Sequence, residues 1–264
     1  MTLVADAVST YAVRRERARD LGARYDFAQG PMRLYLALVN AQERAFERAQ
    51  RDRPAPTEMS EFVVRVALPG VMEAAVAAGT ERLREAVLVR FHDGDLEGMV
   101  ESWLAGETQD ATDAFLARAS ASPVLEALPE GATALRPAKV TDRECPRCGG
   151  LPQVAVFSDS GEALLTSQRR VVCSRCAHEW VLSRMTCASC GETAGAKLPI
   201  FSDVDQFPHL RVDACELCRR YLITIDLRKD PRAVPIVDEL AALPLDLVAA
   251  ERGYTKIARN LMGF

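Results

Sequence analysis

The sequence predicts an α+β protein, in which a helical N-terminal domain precedes two small cysteine-rich metal modules and a C-terminal helix. Three observations carry this prediction. Apolar residues recur at helical spacing up to about residue 138, all eight cysteines lie between Cys145 and Cys218, and a second apolar stripe at helical spacing follows them. The expected divisions are the helical domain 1–138, the first metal module 139–186, the second metal module 187–228 and the C-terminal helical segment 229–264.

The composition is that of an ordinary folded protein. Of the 264 residues, 48% are hydrophobic and 27% are charged, which excludes disordered and collagen-like chains. The formal net charge of −4 argues against nucleic acid as a partner, because non-specific binding needs a basic face. Residues 1–21 lack the apolar stretch and small-residue cleavage site of a secretory signal. We therefore expect a cytoplasmic protein with no integral membrane segment.

The N-terminal region is expected to contain several amphipathic helices. The candidate helix starts are Pro31, Thr57, Thr80, Asp110 or Thr112, and Ser122-Pro123. Pro69 is expected to break or kink the helix that begins near Thr57, because proline removes a backbone donor. Residues 129–141 are rich in proline and glycine, so we expect a linker or an extended arm there.

Strands and one more helix are expected in the remainder of the chain. The predicted strands are 153–157, 170–172 and 221–226. Pro231 is placed where a helix would start, the apolar stripe of that helix begins at Val234, and Gly253 would end it.

The cysteines form four C-x-x-C pairs, which are Cys145/Cys148, Cys173/Cys176, Cys187/Cys190 and Cys215/Cys218. The gaps between successive pairs are 24, 10 and 24 residues, so the same unit occurs twice with an offset of 42. Two-residue spacing lets a tight turn, or knuckle, direct both sulfurs at one ion, and two knuckles complete a tetrahedral site. Gly149 and Gly191 follow the second cysteine of each repeat's first knuckle and can adopt a positive φ there. The repeat therefore predicts two metal-bound modules of zinc-ribbon or rubredoxin-like type.

Alternatives remain open at this point. We prefer pairing within each repeat, which makes one site of Cys145, Cys148, Cys173 and Cys176 and another of Cys187, Cys190, Cys215 and Cys218. Two other pairings of the knuckles exist, and the ten-residue gap can also close a small site. Four thiolates suit iron and zinc equally. Structural disulfides and thioredoxin-type redox pairs are less favoured, because the former suit secreted proteins and the latter occur singly at a helix start.

Other side chains give no sign of catalysis. His92, His178 and His209 are expected to have surface or packing roles, and Trp103 and Trp180 to be core anchors. The chain contains no phosphate-binding loop, dinucleotide fingerprint, zinc-protease motif or nucleophile elbow. We therefore expect that the protein is not an enzyme.

Five stretches of the chain match a known family pattern. They are FLARASASPVLEAL (115–128), CPRCGGLPQV (145–154), CSRCAHEWVLSRMTCASCGE (173–192), DACELCRRYL (213–222) and KDPRAVPIVDELAALPLDLVAAERGYTKIARN (229–260). Through them the chain resembles the FdhE family, the formate dehydrogenase accessory (formation) proteins of bacteria.

The resemblance implies a cytoplasmic maturation factor that binds the catalytic subunit of a respiratory formate dehydrogenase before export. It also implies rubredoxin-like metal domains that bind iron, with all eight cysteines as ligands and no catalytic or cofactor-binding residue. The alternative function is a rubredoxin-like redox or electron-transfer factor that acts on the client's metal centre. Besides the catalytic subunit, a second copy of the chain is left open as a partner, in a homodimer.

Overall fold

The computed structural model of the chain describes residues 2–158 and 168–263. Two compact units are present, residues 1–136 and residues 137–262. The first unit is helical, whereas the second contains a β-sheet and both groups of cysteines, which confirms the predicted α+β class. Among the described residues, none of the helices combines the length and apolar character that crossing a bilayer requires.

The first unit is built around one long helix. Its helices are α1 (Thr2–Arg24), α2 (Gln29–Asp52), α3 (Met59–Phe62), α4 (Leu68–Ala78), α5 (Glu81–Asp93), α6 (Leu96–Ala105), α7 (Ala111–Ala127) and α8 (Pro129–Ala134). Helix α2 is central because it packs against α1, α4 and α7. Pro31 lies in its first turn, as expected, and its buried residues recur at intervals of three and four.

Two expected helix starts are correct. Thr80 Oγ1 accepts a hydrogen bond from the backbone N–H of Leu83 (3.2 Å), which caps α5. Asp110 Oδ1 accepts from the N–H groups of Thr112 (2.8 Å) and Asp113 (3.0 Å). Asp110, rather than Thr112, is therefore the residue that caps α7.

Prolines inside helices are accommodated in the first unit. The expected restart at Pro123 is wrong, because α7 continues through it. Proline has no N–H for the carbonyl of Ala119, and the side-chain amide of Gln42 donates to that oxygen instead (3.0 Å). Before Pro69 the backbone widens into a π-helix over Val63–Ala67 and continues directly as α4, so the helical path is not broken there.

Two other expectations for this unit need correction. Thr57 does not start a helix, because it lies within the 3₁₀ turn Pro56–Glu58, in which the Glu58 carboxylate accepts the N–H of Ala55 (3.0 Å). Residues 129–134, expected as part of a linker, form α8, since Pro129 suits the first turn of a helix.

The second unit contains one sheet, and its strands are β1 (Pro152–Phe157), β2 (Arg169–Cys173), β3 (Glu179–Val181), β4 (Ile200–Phe201), β5 (Leu210–Ala214), β6 (Arg220–Asp226) and β7 (Thr255–Lys256). The order is β3-β2-β1-β6-β5-β4, and β7 pairs with β6. The three expected strands are present as β1, β2 and β6. The other described strands were missed, and β3, β4 and β7 have only two or three residues, too few for an alternating pattern.

The internal repeat is visible in this sheet. Strands β1, β2 and β3 pair antiparallel, as do β4, β5 and β6. A parallel pairing of β1 with β6 joins the two halves, with Val154 beside Ile223. The halves that carry the two cysteine groups therefore share one continuous sheet.

The C-terminal segment is not the single helix that the apolar stripe predicts. The chain forms α9 (Pro235–Asp238), a 3₁₀ turn (Glu239–Ala241) and α10 (Leu243–Glu251). Pro231 begins no helix, and Pro244 starts a new one because it cannot donate within a continuing helix. Gly253, which has a φ of +77°, follows α10 as expected.

Candidate metal centre

All four C-x-x-C pairs form a similar tight turn. In the first, the N–H of Cys145 donates to the carbonyl of Gly150 (2.8 Å), and the N–H of Gly149 donates to the carbonyl of Cys145 (2.8 Å). The bonds equivalent to the first of these join Cys173 to His178 (2.9 Å), Cys187 to Glu192 (2.8 Å) and Cys215 to Arg220 (3.0 Å). This shared turn directs the two cysteines of each knuckle toward the same point.

The residue after the second cysteine has a left-handed backbone in every knuckle. The φ angles are +73° at Gly149, +53° at Ala177, +83° at Gly191 and +56° at Arg219. Glycine adopts this conformation without strain, whereas a residue with a Cβ pays for it. The two glycines were expected to play this role, but the left-handed conformation of Ala177 and Arg219 was not.

The sulfurs of each repeat form a close group of four. Within each group all the Sγ atoms lie within 4.8 Å of one another. The Sγ–Sγ separations are 3.7 Å for Cys145–Cys176, 3.4 Å for Cys148–Cys173, 3.7 Å for Cys187–Cys218 and 3.7 Å for Cys190–Cys215. A tetrahedral site with metal–sulfur bonds of about 2.3 Å requires separations of about 3.8 Å, so the spacing fits zinc or iron. None of the eight cysteines forms a disulfide.

The two groups differ in exposure. Cys145, Cys148, Cys173 and Cys176 are all buried, with at most 3% of any residue exposed. In the second group Cys187 and Cys215 are buried, Cys218 is half-buried and Cys190 is exposed.

Backbone N–H groups lie close to the sulfurs. The N–H of Arg175 is 3.4 Å from Cys173 Sγ, and that of Ser189 is 3.4 Å from Cys187 Sγ. Such contacts stabilise thiolates. Burial raises the pKa of Cys187 to about 12. Burial also acts to raise the pKa of Cys190, but hydrogen bonds from the Glu192 backbone and the neighbouring thiols lower it overall.

Two arginines brace the second group from outside it. Arg143 donates to the carbonyl of Ser189 (3.2 Å), inside the knuckle that Cys187 begins. Arg169, whose side chain is buried, donates to the carbonyl of Thr186 (2.8 Å) and lies 3.4 Å from Asp213. Thr186 directly precedes Cys187 and Asp213 belongs to β5, which leads into Cys215. Arg169 therefore connects the two knuckles of this group.

The histidines lie outside both sulfur groups. His209 is buried, and its Nε2 is 2.9 Å from Asp238 Oδ1. His178 is half-buried, and burial lowers its pKa, whereas His92 is exposed on α5. Trp180 is buried and donates through Nε1 to the carbonyl of Asp142 (3.2 Å), as expected of a core anchor. The second tryptophan, which was also expected in the core, is half-buried.

Sequence reasoning missed a buried charge cluster beside the sheet. The ammonium of Lys256 lies 2.7 Å from Glu239 Oε1 and 3.1 Å from Asp246 Oδ1. Gln153 donates to Glu239 (2.7 Å), and the Tyr221 hydroxyl donates to Asp246 (2.9 Å). Burial raises the pKa of both carboxyls, although the lysine opposes that rise. The available signal was that Glu239 and Asp246 are, together with Asp238, the charged residues of the otherwise apolar stretch 234–250.

We expect Gly149→Ala to weaken the first sulfur group more than Gly191→Ala weakens the second. A Cβ at Gly149 would lie 2.5 Å from Cδ of Pro137, whereas at Gly191 the nearest atom is Nη1, 3.0 Å away at the end of the long Arg143 side chain. Both variants also force an alanine into the left-handed region, at a cost of roughly 1–3 kcal/mol. Thermal unfolding and metal content of the full chain measure the effect. Ala177→Gly, which relieves strain, is the control, and equal losses in the two alanine variants would contradict the prediction.

The amino-acid sequence is similar to a known family model and to several named proteins. Residues 185–262 match the family model described as FdhE, C-terminal domain. The protein named FdhE homolog of Aquifex aeolicus is 35% identical over 120 residues, which are 46% of this chain and 41% of that protein. The FdhE homolog of Pseudomonas aeruginosa is 30% identical over 201 residues, which are 74% of this chain and 62% of that protein.

A solved structure shares the fold. The crystal structure of the FdhE protein from Pseudomonas aeruginosa superposes with a TM-score of 0.69 at 23% sequence identity, covering 96% of this chain and 94% of that one. The chain spans less than two thirds of the length of the curated relatives described above. The structural similarity therefore extends over both units of the fold. The family model matches a shorter part of the chain, residues 185–262.

Proposed function

Because residues 185–262 match the FdhE family model and the chain is 30% identical to an FdhE homolog over 201 residues, we propose that it belongs to that family and is a formation factor for a formate dehydrogenase. In this proposal it acts in the cytoplasm, where it binds the catalytic subunit of a respiratory enzyme before export. The family match of residues 185–262, which include the whole second sulfur group, is the observation that carries the proposal. The role is one of binding and assembly and requires no catalytic residue in this chain.

We propose that the cysteines bind two metal ions, each iron or zinc. The first ion would be held by Cys145, Cys148, Cys173 and Cys176, and the second by Cys187, Cys190, Cys215 and Cys218. The sulfur separations of 3.4–3.7 Å and the nearby backbone N–H groups support this role. The ions would hold the knuckles at the ends of the strands and thereby stabilise the sheet.

We propose that two metal modules, 139–186 and 187–228, carry these ions. The helical domain 1–138 would precede them and the segment 229–264 would follow. The grouping of the sulfurs by repeat supports this division. The parallel pairing of β1 with β6 implies that the two modules fold together as one body and not as two independent domains.

Capture of the client tests the proposed role. The tagged full chain, purified without air from cells that make a respiratory formate dehydrogenase, is expected to retain the enzyme's catalytic subunit. An unrelated tagged protein of similar charge is the control. Deleting the gene is expected to abolish formate dehydrogenase activity, and restoring the chain to recover it. Full activity in the deletion strain would rule out the role.

A second function, a redox factor acting on the client's metal centre, is favoured by one observation. Cys190 is exposed, so an electron could enter or leave the second site through a sulfur at the protein surface. This function predicts iron in that site, a coloured protein and a reversible change of visible absorbance on reduction. A colourless preparation that contains only zinc and still supports formate dehydrogenase formation would exclude it.

A further inference from the structure

Equivalent cysteines of the two repeats differ sharply in their exposure. Cys148 and Cys190 occupy the same position in successive repeats, yet Cys148 is 0% exposed and Cys190 is exposed. Likewise Cys176 is 1% exposed, whereas its counterpart Cys218 is half-buried. Since the knuckles have a common backbone turn, the difference comes from what lies over them.

The first knuckle is covered by neighbouring chain. The Cβ position at Gly149 is 2.5 Å from Cδ of Pro137 and 3.4 Å from Cγ1 of Val140. The residues that lead into the first knuckle therefore pack directly on it. This cover is apolar and is attached to the backbone by short side chains.

The second group has a thinner cover. At Gly191 the nearest described atoms all belong to the end of the Arg143 side chain, the closest being Nη1 at 3.0 Å. Leu217, which lies between Cys215 and Cys218, is 60% exposed. Solvent and small reagents can therefore reach the two outer cysteines of this group, Cys190 and Cys218. The two inner cysteines, Cys187 and Cys215, remain buried.

Exposure controls how such a site exchanges its ion. An ion leaves a four-thiolate site stepwise, because one sulfur must first be replaced by water, by a proton or by an incoming chelator. A sulfur that solvent reaches is replaced more readily, and it also remains available to electrophiles. A sulfur sealed by apolar side chains admits neither reagent without local unfolding.

We propose that the two sulfur groups have different tasks: the first retains its ion permanently, and the second exchanges thiophilic metal ions with its surroundings through Cys190. This inference rests on the proposed metal binding and adds a distinction between the sites. Cys190 is the point of entry for the competing ligand, and Cys187 and Cys215 form the buried base of the exchangeable site. Arg169 contacts the segments that lead into Cys187 and Cys215, and it keeps that base in place when the sulfurs of Cys190 and Cys218 dissociate from the ion.

Release of cobalt tests the proposal on the full chain. The protein is prepared without air with Co²⁺ in both groups, and the content is measured before any chelator is added. On addition of EDTA, the charge-transfer absorbance of cobalt–thiolate bonds is expected to decay in two phases of equal amplitude. The faster phase is expected to exceed the slower on the order of tenfold in rate. In Cys190→Ser the fast phase is expected to disappear, while in the control variant Ser189→Ala, which keeps all eight cysteines, both phases remain.

Alkylation of the unmodified sequence gives an independent readout that requires no variant. In the loaded protein the Cys190 sulfur attacks the methylene carbon of iodoacetamide, an S–C bond forms, and iodide leaves with the electron pair of the C–I bond. Peptide mass mapping is expected to find Cys190 modified first and Cys148 last. A single release rate, or equal alkylation of the two, overturns the inference alone. Fewer than two bound ions at the start overturns the proposed two-metal binding as well.

Discussion

Removing both metal ions is expected to unfold residues 137–262 and to leave the helices of residues 1–136 folded. Structural sites of this type contribute on the order of 10–16 kcal/mol of apparent binding free energy, which equals or exceeds the roughly 5–15 kcal/mol stability of a typical domain. In this chain the Cys173/Cys176 knuckle joins β2 to β3 and the Cys215/Cys218 knuckle joins β5 to β6, so loss of the ions releases the carboxyl ends of β2 and β5. The first unit has its own buried core around α2 and contains no cysteine.

Circular dichroism and hydrogen exchange distinguish the two units. After chelation without air, the helical signal is expected to persist, while amides of β1, β2, β5 and β6 lose protection. Among single variants, Cys148→Ser is expected to lower the stability of the sheet more than Cys190→Ser does, because a hydroxyl replaces a fully buried thiolate. Ser189→Ala, inside a knuckle but not a ligand, is the matched control. Unchanged melting of all three variants would show that the ions are peripheral to the fold.

The candidate site was predictable because its chemistry is local. Two-residue spacing defines the knuckles and the 42-residue repeat favours grouping them by repeat, although two other pairings were open; the sulfurs lie together as preferred. The left-handed conformation of Ala177 and Arg219 was not predictable, because residue type gives no sign of it where glycine is absent. It follows from the closure of the turn, which imposes the same backbone on whatever residue follows the second cysteine.

Long-range packing accounts for the parts of the fold that the sequence did not indicate. Pro123 predicts a helix restart by local rules, but Gln42, 77 residues from its bonding partner, satisfies the carbonyl that proline leaves free. The pairing of β1 with β6 also depends on contacts between distant segments, for which the pattern of either strand gives no register. In the same way, Glu239 looks like a solvent-facing residue of a helix until Lys256 is placed beside it.

Lys256→Met is expected to destabilise the second unit by about 3–5 kcal/mol, since it leaves two buried carboxylates without their cation. Glu239 and Asp246 are at most 3% exposed, so water cannot replace the ammonium. They belong to the 3₁₀ turn after α9 and to α10, while their other partners lie on β1 and β6. Loss of the lysine therefore weakens the attachment of the C-terminal segment to both halves of the sheet. Urea unfolding of the metal-loaded chain measures the loss, with the exposed Lys139→Met as the matched control.

A second substitution and the pH dependence separate this electrostatic cause from a loss of packing. Adding Glu239→Gln to Lys256→Met removes one of the unpaired charges and is expected to recover part of the stability. Burial raises the pKa of both carboxyls in the folded chain. The folded state therefore binds protons at a higher pH than the unfolded state, and the deficit of Lys256→Met relative to the wild type is expected to shrink as pH falls toward about 4, the unfolded carboxyl value. A deficit that stays constant with pH and is not reduced by Glu239→Gln would mean that the lysine acts through the packing of its alkyl chain, because packing energy does not change with protonation.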